Sequence, residues 1–162
     1  MTNPAIGSAA AKIGSAAPDF TLAGDTGPIS LASFKGRKLV LYFYPKDDTP
    51  GCTTEGKDFS AARDAFAAAD TDIVGVSRDS VAAHGKFRAK HGLTVGLGAD
   101  DDGMVTEAYG VWVEKAMYGK KYMGIERATF LIDRDGKIAQ VWNKVKVPGH
   151  AAAVLAAAQA LA

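Results

Sequence analysis

This chain has one sulfur nucleophile. Cys52 is its only cysteine and lies in FYPKDDTPGCTTEGKDF, where an apolar stretch runs into a proline-interrupted loop and then into a helical pattern. A thiol reacts as thiolate, and a thiolate is favoured at a helix N-terminus, where unpaired backbone N–H groups and the positive dipole end face it. Pro50 and Gly51 break the chain just before Cys52, and Thr53, Thr54 and Glu55 begin a segment of helical periodicity. The residues therefore build an anion-favouring corner around the sulfur. The opposing reading is an inert buried cysteine that behaves as a small hydrophobe. Such cysteines sit inside apolar runs, whereas this one is flanked by Thr49, Pro50, Gly51, Thr53 and Thr54, a polar setting that favours a working thiol.

Other chemistry-bearing residues form no competing constellation. His84 and His91 are seven apart, about 10 Å along a helix axis, too far to share a metal ion, and His150 is isolated. Asp100, Asp101, Asp102 and Gly103 lack the alternate spacing and closing glutamate of a calcium loop and read as a turn and helix start. Without a G-x-G-x-x-G or P-loop pattern, nucleotide and flavin cofactors have no support. No cofactor and no metal are expected. Trp112, Trp142 and the tyrosines read as packing residues rather than a nucleic-acid platform.

The elements that must position Cys52 come from a chain of 162 residues, 48% hydrophobic, long enough for one domain with a sizeable core. Its 19 basic and 18 acidic residues give a net charge of +1 and are spread along the chain, which argues against nucleic acid or an anionic membrane as partner. The densest basic spot, Lys120 and Lys121 near Lys115, reads as a solvated loop. One cysteine cannot form an intrachain disulfide and suits a reducing compartment, so the expected location is cytoplasmic. The N-terminal MTNPAIGSAAAKIGSAAPDF lacks the basic start and apolar core of a signal peptide, and no segment approaches a membrane span. Residues 1–13 are expected to form a flexible tail ahead of a single domain over 14–162.

Phe20 to Leu22 and Ile29 to Leu31, separated by turn residues, predict an N-terminal hairpin. LVLYFY over Leu39 to Tyr44 is the pattern of a strand covered on both faces, ended by Pro45. From Thr53 to Ala69 the spacing of Phe59, Ala62, Phe66 and Ala69 predicts one helix carrying Cys52 at its start. Asp72 to Ser77 reads as a strand, Asp79 to His91 as a helix stopped by Gly92, Leu93 to Leu97 as a strand, and Met104 to Tyr109 as a short helix. Ala128 to Asp133 and Lys137 to Trp142 flank a turn and predict a hairpin. After Gly149 an alanine-rich helix follows, with Val154, Leu155, Ala158 and Leu161 as its core stripe. The alternation points to an α/β architecture with a central mixed sheet.

Pro45, Thr49 and Cys52 form P-x-x-x-T-x-x-C, and with ERATFLID around Arg127 the chain resembles the peroxiredoxins. FYPKDDTPGCTTE and YGVWVEKAMYGKKYMGIERATFLIDRDGKI are similar to the bacterioferritin comigratory protein or PrxQ subgroup, from about Gly14 to the C-terminus. The resemblance implies a thioredoxin-like fold and thiol-dependent reduction of hydrogen peroxide and organic hydroperoxides. Cys52 would match the peroxidatic cysteine, whose thiolate becomes sulfenic acid. Thr49 would match the hydroxyl that hydrogen-bonds the peroxide, Pro45 the residue that shields the pocket, and Arg127 the arginine that orients and stabilises the thiolate. These roles suit the chemistry, because negative charge spreads over sulfur and leaving oxygen and a guanidinium can reach both. Read without the motif, Arg127 would be a surface partner of Glu126 or Asp133, Thr49 a turn cap and Pro45 a strand end. Glu55 is ambiguous between stabilising the first helical turn and orienting Arg127, and stays outside the catalytic set.

Many members of that subgroup carry a resolving cysteine five residues after the first. Here that position is Lys57, and no other cysteine exists. The expectation is a one-cysteine peroxidase recycled by an external thiol, whether thioredoxin, glutathione with glutaredoxin, or another small thiol. The rival is a peroxide sensor or redox relay of the same fold with little turnover. The family resemblance favours a monomer or weak homodimer.

Overall fold

The computed structural model describes residues 11–162; most of the expected tail, residues 1–10, lies outside them. The sheet grows from β3 (Lys38–Phe43), every residue of which is buried. Alternation along a strand divides this apolar run between two faces. Leu39, Leu41 and Phe43 enter one core cluster, and Val40, Tyr42 and then Tyr44 enter the other.

β3 pairs in parallel with β4 (Thr71–Ser77), which pairs in parallel with β5 (Gly96–Ala99). β1 (Thr21–Gly24) lies antiparallel to β5 and to β2 (Ile29–Ser30), which is the N-terminal hairpin. On the other side β8 (Ala128–Ile132) runs antiparallel to β3, and β9 (Ile138–Trp142) antiparallel to β8. The seven-stranded order is β2-β1-β5-β4-β3-β8-β9, the mixed sheet expected from the alternation of elements.

Helices cover both faces. α1 (Pro50–Ala61), α2 (Arg63–Ala68), α3 (Val81–His91) and α5 (His150–Ala160) place Phe59, Phe66, Phe87, Val154 and Ala158 in the cluster that contains Tyr42, Tyr44 and Cys52. Each aromatic ring so buried contributes roughly 2–3 kcal/mol. The short α4 (Met104–Ala108) puts Val105 into the opposite cluster. Lys38 extends its buried stem to the C-terminal end of α5, where Nζ donates to the carbonyls of Ala158 and Leu161 at 2.6 and 2.8 Å. No helix among the described residues is long and apolar enough to cross a membrane.

Several expectations need correction. The helix expected over 53–69 is two helices that meet at Ala62, whose φ and ψ are −92° and 1°. Ala62 is no breaker, so packing overrides propensity here: the bend brings the Phe59 and Phe66 rings to 6.0 Å between centroids. The strand expected at Leu93 begins only at Gly96, because Arg88 at the end of α3 takes the Leu93 and Val95 carbonyls, both at 2.8 Å, away from any ladder.

Lys120 and Lys121 belong to a strand rather than a loop. β6 (Trp112–Met117) and β7 (Lys120–Ile125) form a separate two-stranded ribbon. Tyr118 and Gly119, with φ of 51° and 78°, make the positive-φ turn that a two-residue hairpin loop requires. Much of the ribbon is exposed, so it carries no one-sided apolar alternation to announce it. Its base is held by Arg78, whose guanidinium lies 3.4 Å above the Trp112 ring centroid.

Candidate active site

The site forms where β3 ends. Pro45 opens an exposed bend, and Thr49 closes the loop as the N-cap of α1, in extended geometry with φ −88° and ψ 156°. Pro50 follows in the first helical turn, where its fixed φ suits a helix and its missing N–H costs nothing. Thr53 N–H donates to the Thr49 carbonyl at 2.8 Å, closing the first turn around Pro50, Gly51 and Cys52. The helix therefore begins at Pro50, ahead of the sulfur, and Cys52 lies within the turn whose N–H groups have no carbonyl one turn back.

Cys52 is 2% exposed. The polar neighbours that argued against burial line the helix start, while the side chain itself turns inward to the Tyr42 and Tyr44 cluster. It is nevertheless not among apolar atoms alone. Arg127, the residue before β8, brings Nη2 to 3.4 Å from Cys52 Sγ. The other arm, Nη1, lies 2.6 Å from Glu55 Oε1. Cys52 and Glu55 are three residues apart, and that spacing presents both on one face of α1. One planar guanidinium can then hold both, which a point charge on a flexible stem cannot do as well. The fit is close: a Cβ at Gly51 would stand 3.1 Å from Arg127 Nη2.

Glu55 is itself 1% exposed, and its Oε2 is buried with no hydrogen-bond partner among the described residues. Burial pushes its carboxyl up to about 7, against the pull of Arg127. His150, at the start of α5, sits with Nε2 2.8 Å from Thr129 Oγ1. Burial, and then the charge of Arg127, push its ring down to about 4, so it adds no positive charge at neutral pH. Among the described residues Arg127 is the cation in hydrogen-bond contact with the sulfur.

Of the four expected site residues, Cys52 and Arg127 are brought into contact. Arg127 takes neither Glu126 nor Asp133 as its partner. Thr49 stands at the helix cap with its hydroxyl donating to the Lys46 carbonyl at 2.8 Å, and Pro45 stands at the loop's entrance. Glu55, set aside on the sequence, holds Arg127; the one available signal was its position three residues after Cys52. Nothing local in the sequence announced a further buried group, Asp47 with His84, behind the loop.

A thiol in a helical first turn beside a guanidinium is arranged for attack on an electrophile whose leaving atom gains negative charge. Comparison with known proteins narrows the electrophile. Residues 13–141 match the AhpC/TSA family. The chain is 52% identical to peroxiredoxin Bcp of Bacillus subtilis over 145 residues, covering 89% of this chain and 92% of that one. It is 52% identical to peroxiredoxin Bcp of Xanthomonas campestris over 140 residues, covering 86% and 87%. Among solved structures, the bacterioferritin comigratory protein of Xanthomonas campestris, described for its alkyl peroxide reduction activity, is similar with a TM-score of 0.83 and 50% identity over 87% of this chain and 90% of that one. A cysteine-to-serine variant of Xylella fastidiosa PrxQ reaches a TM-score of 0.87 at 41% identity, covering 92% and 96%. These neighbours give the mixed sheet described above its place as a thioredoxin-like peroxiredoxin fold.

Proposed function

The chain belongs to the AhpC/TSA family as a peroxiredoxin of the Bcp/PrxQ kind, and from this premise we propose that Cys52 is the residue at which it reduces hydroperoxides. The enzyme is a thiol-dependent peroxidase with a single cysteine. The observation that carries the assignment of the site is the guanidinium of Arg127, 3.4 Å from Cys52 Sγ and 2.6 Å from Glu55.

In the first step the Cys52 thiolate attacks the terminal peroxide oxygen. The S–O bond forms as the O–O bond breaks, sulfur is oxidised to sulfenic acid, and the leaving oxygen departs as water or an alcohol after taking a proton. Arg127 stabilises charge as it moves from sulfur to the leaving oxygen, and the N–H groups of the first turn of α1 add fixed donors. Thr49 supplies a hydroxyl at the helix cap that can bond the peroxide, and Pro45 screens the entrance. In the second step an external thiol attacks the sulfenic sulfur, expelling water and leaving a mixed disulfide. A second thiol then frees Cys52.

Thioredoxin or glutathione with glutaredoxin suits this cycle, because the chain has no second cysteine to resolve the sulfenic acid. A thiol that must return to its reduced form suits a reducing compartment such as the cytoplasm, and the protein is proposed to work as a monomer or weak homodimer. The test is the loss of the Cys52 thiol after one equivalent of hydrogen peroxide, with a free-thiol compound as reference. Oxidation orders of magnitude faster than the reference, abolished in Cys52→Ser, supports the reading; oxidation at the reference rate overturns it. Consumption that stops after one turnover with every reductant would support the sensor instead.

A further inference from the structure

The loop between β3 and α1 is gripped from behind by buried charge. Asp47, 9% exposed, accepts the Tyr44 hydroxyl on Oδ1 at 2.6 Å and faces His84 Nδ1 with Oδ2 at 2.6 Å. His84 is fully buried on α3, and its other nitrogen, Nε2, lies 2.9 Å from the carbonyl oxygen of Gly98 on β5. A carbonyl can only accept, and so can an ionised carboxylate. Both ring nitrogens must therefore donate, which makes His84 an imidazolium paired with Asp47.

The backbone of the same residue is held as well. Asp47 N–H donates to Asp79 Oδ2 at 2.8 Å, and Asp79 is fixed in turn by the Ser77 hydroxyl at 2.6 Å. Next along the chain, Asp48 has a φ of 62°, a conformation disfavoured for a residue with a side chain. It is held by Lys90 and His91 of α3 at 2.8 and 2.7 Å. Consecutive aspartates thus clasp α3 at both ends, and the residues they fix are those that lead into Thr49 and Cys52.

We propose that His84, acting through Asp47, is a positioning residue for peroxide reduction: as an imidazolium bridging Asp47 and Gly98 it holds residues 45–49 in the conformation that presents Thr49 and the first turn of α1 to the substrate. The inference rests on the assignment of peroxide reduction to Cys52. The groups facing the ring are Asp47 from the loop, Tyr44 from the end of β3 with its hydroxyl 3.5 Å from Nδ1, Asp79 from the segment after β4, and only a carbonyl from β5. Burial disfavours the charged ring, yet the bond and charge of Asp47, with Gly98 and Asp79, outweigh it and raise His84 above the ordinary histidine value. With a raised folded value, the contribution of the clasp is complete below the unfolded value of about 6.5 and is lost as pH rises through the folded one.

The test uses full-length protein. With histidine labelled with nitrogen-15, His84 should carry protons on both ring nitrogens at neutral pH; a neutral ring overturns the proposal. Thiol loss to hydrogen peroxide is then measured per folded molecule in His84→Phe and His84→Gln. Displacing the loop should slow His84→Phe about tenfold or more, and His84→Gln, whose amide can still donate to Asp47, should recover part of that loss. A merely structural histidine would lower the melting temperature and leave the rate of the folded fraction unchanged, which overturns the proposal. Should His84→Phe fail to fold, Asp47→Asn keeps the shape and removes the charge; it should be slowed likewise, and a wild-type rate there is equally fatal. A wild-type protein that oxidises no faster than a free thiol would defeat the assignment of Cys52 itself. Rapid oxidation in both wild type and variants would defeat only the role of His84.

Discussion

Glu55 Oε1 lies 2.6 Å from Arg127 Nη1, and the carboxylate that orients the guanidinium is more deeply buried than the guanidinium itself. Burial has raised that carboxyl from 4.5 to about 7, so between these values the folded chain binds more protons than the unfolded chain. Stability falls as pH rises through this window. Glu55→Gln removes the titration. Its melting temperature should gain on wild type by roughly a few degrees between pH 5 and pH 8, while at pH 8, where the wild-type carboxyl is ionised, peroxide oxidation slows about tenfold because Arg127 loses its charged anchor. Calorimetry at the two pH values checks the first, and parallel melting curves would show that Glu55 does not titrate there.

Arg127→Lys keeps a positive charge and loses the planar fork that spans Cys52 and Glu55. Cys52 oxidation should slow by about 10²–10³-fold, the usual effect of removing one donor aimed at developing charge. Stopped-flow loss of the thiol to hydrogen peroxide measures the change. An unchanged oxidation rate would remove Arg127 from the site.

Gly51→Ala separates helix stability from site geometry. Alanine favours the helical backbone by up to about 1 kcal/mol, but its Cβ would stand 3.1 Å from Arg127 Nη2, pressing the guanidinium away from the sulfur by a few tenths of an ångström. The expected protein melts no lower than wild type and oxidises several-fold more slowly, as stopped-flow thiol loss would show. Equal rates would mean that Arg127 yields without losing its hold on Cys52.

His150 gives the stability curve an acid limb. Its ring is pushed from 6.5 to about 4 in the folded chain, so between these values the unfolded chain binds more protons. Stability is therefore lost as pH falls from 6.5 towards 4, by about 3 kcal/mol over the whole window. His150→Asn, with no titration there, should be less stable at pH 7 for the lost packing on Phe59 and Trp142, yet show a flatter curve between pH 4 and 6.5. Denaturant unfolding at several pH values measures both.

What could be read from the residues was whatever depends on neighbours in the chain. The apolar run from Leu39 to Tyr44, the Pro50 and Gly51 break before Cys52, the Gly92 stop and the turn at Asp135 and Gly136 each have a local cause in backbone freedom or periodicity. A central mixed sheet flanked by helices followed from the alternation of these elements. The P-x-x-x-T-x-x-C pattern was legible for the same reason, since Pro45, Thr49 and Cys52 lie on one continuous loop and helix start.

The pairings between distant segments were decided only in three dimensions. The β6 and β7 ribbon escaped notice because exposed strands carry no apolar alternation, and the bend at Ala62 because packing, not an intrinsic breaker, produces it. Glu55 stayed ambiguous between a first-turn carboxylate and a partner of Arg127 until the fold brought Arg127, 72 residues away, against it. Asp47 and His84, 37 residues apart, look like a loop charge and a helix histidine until the fold buries them together. Propensity and periodicity belong to the local chain. The environment of a buried charge is made by whichever segments close around it, and in this protein that environment sets how Arg127 meets the sulfur.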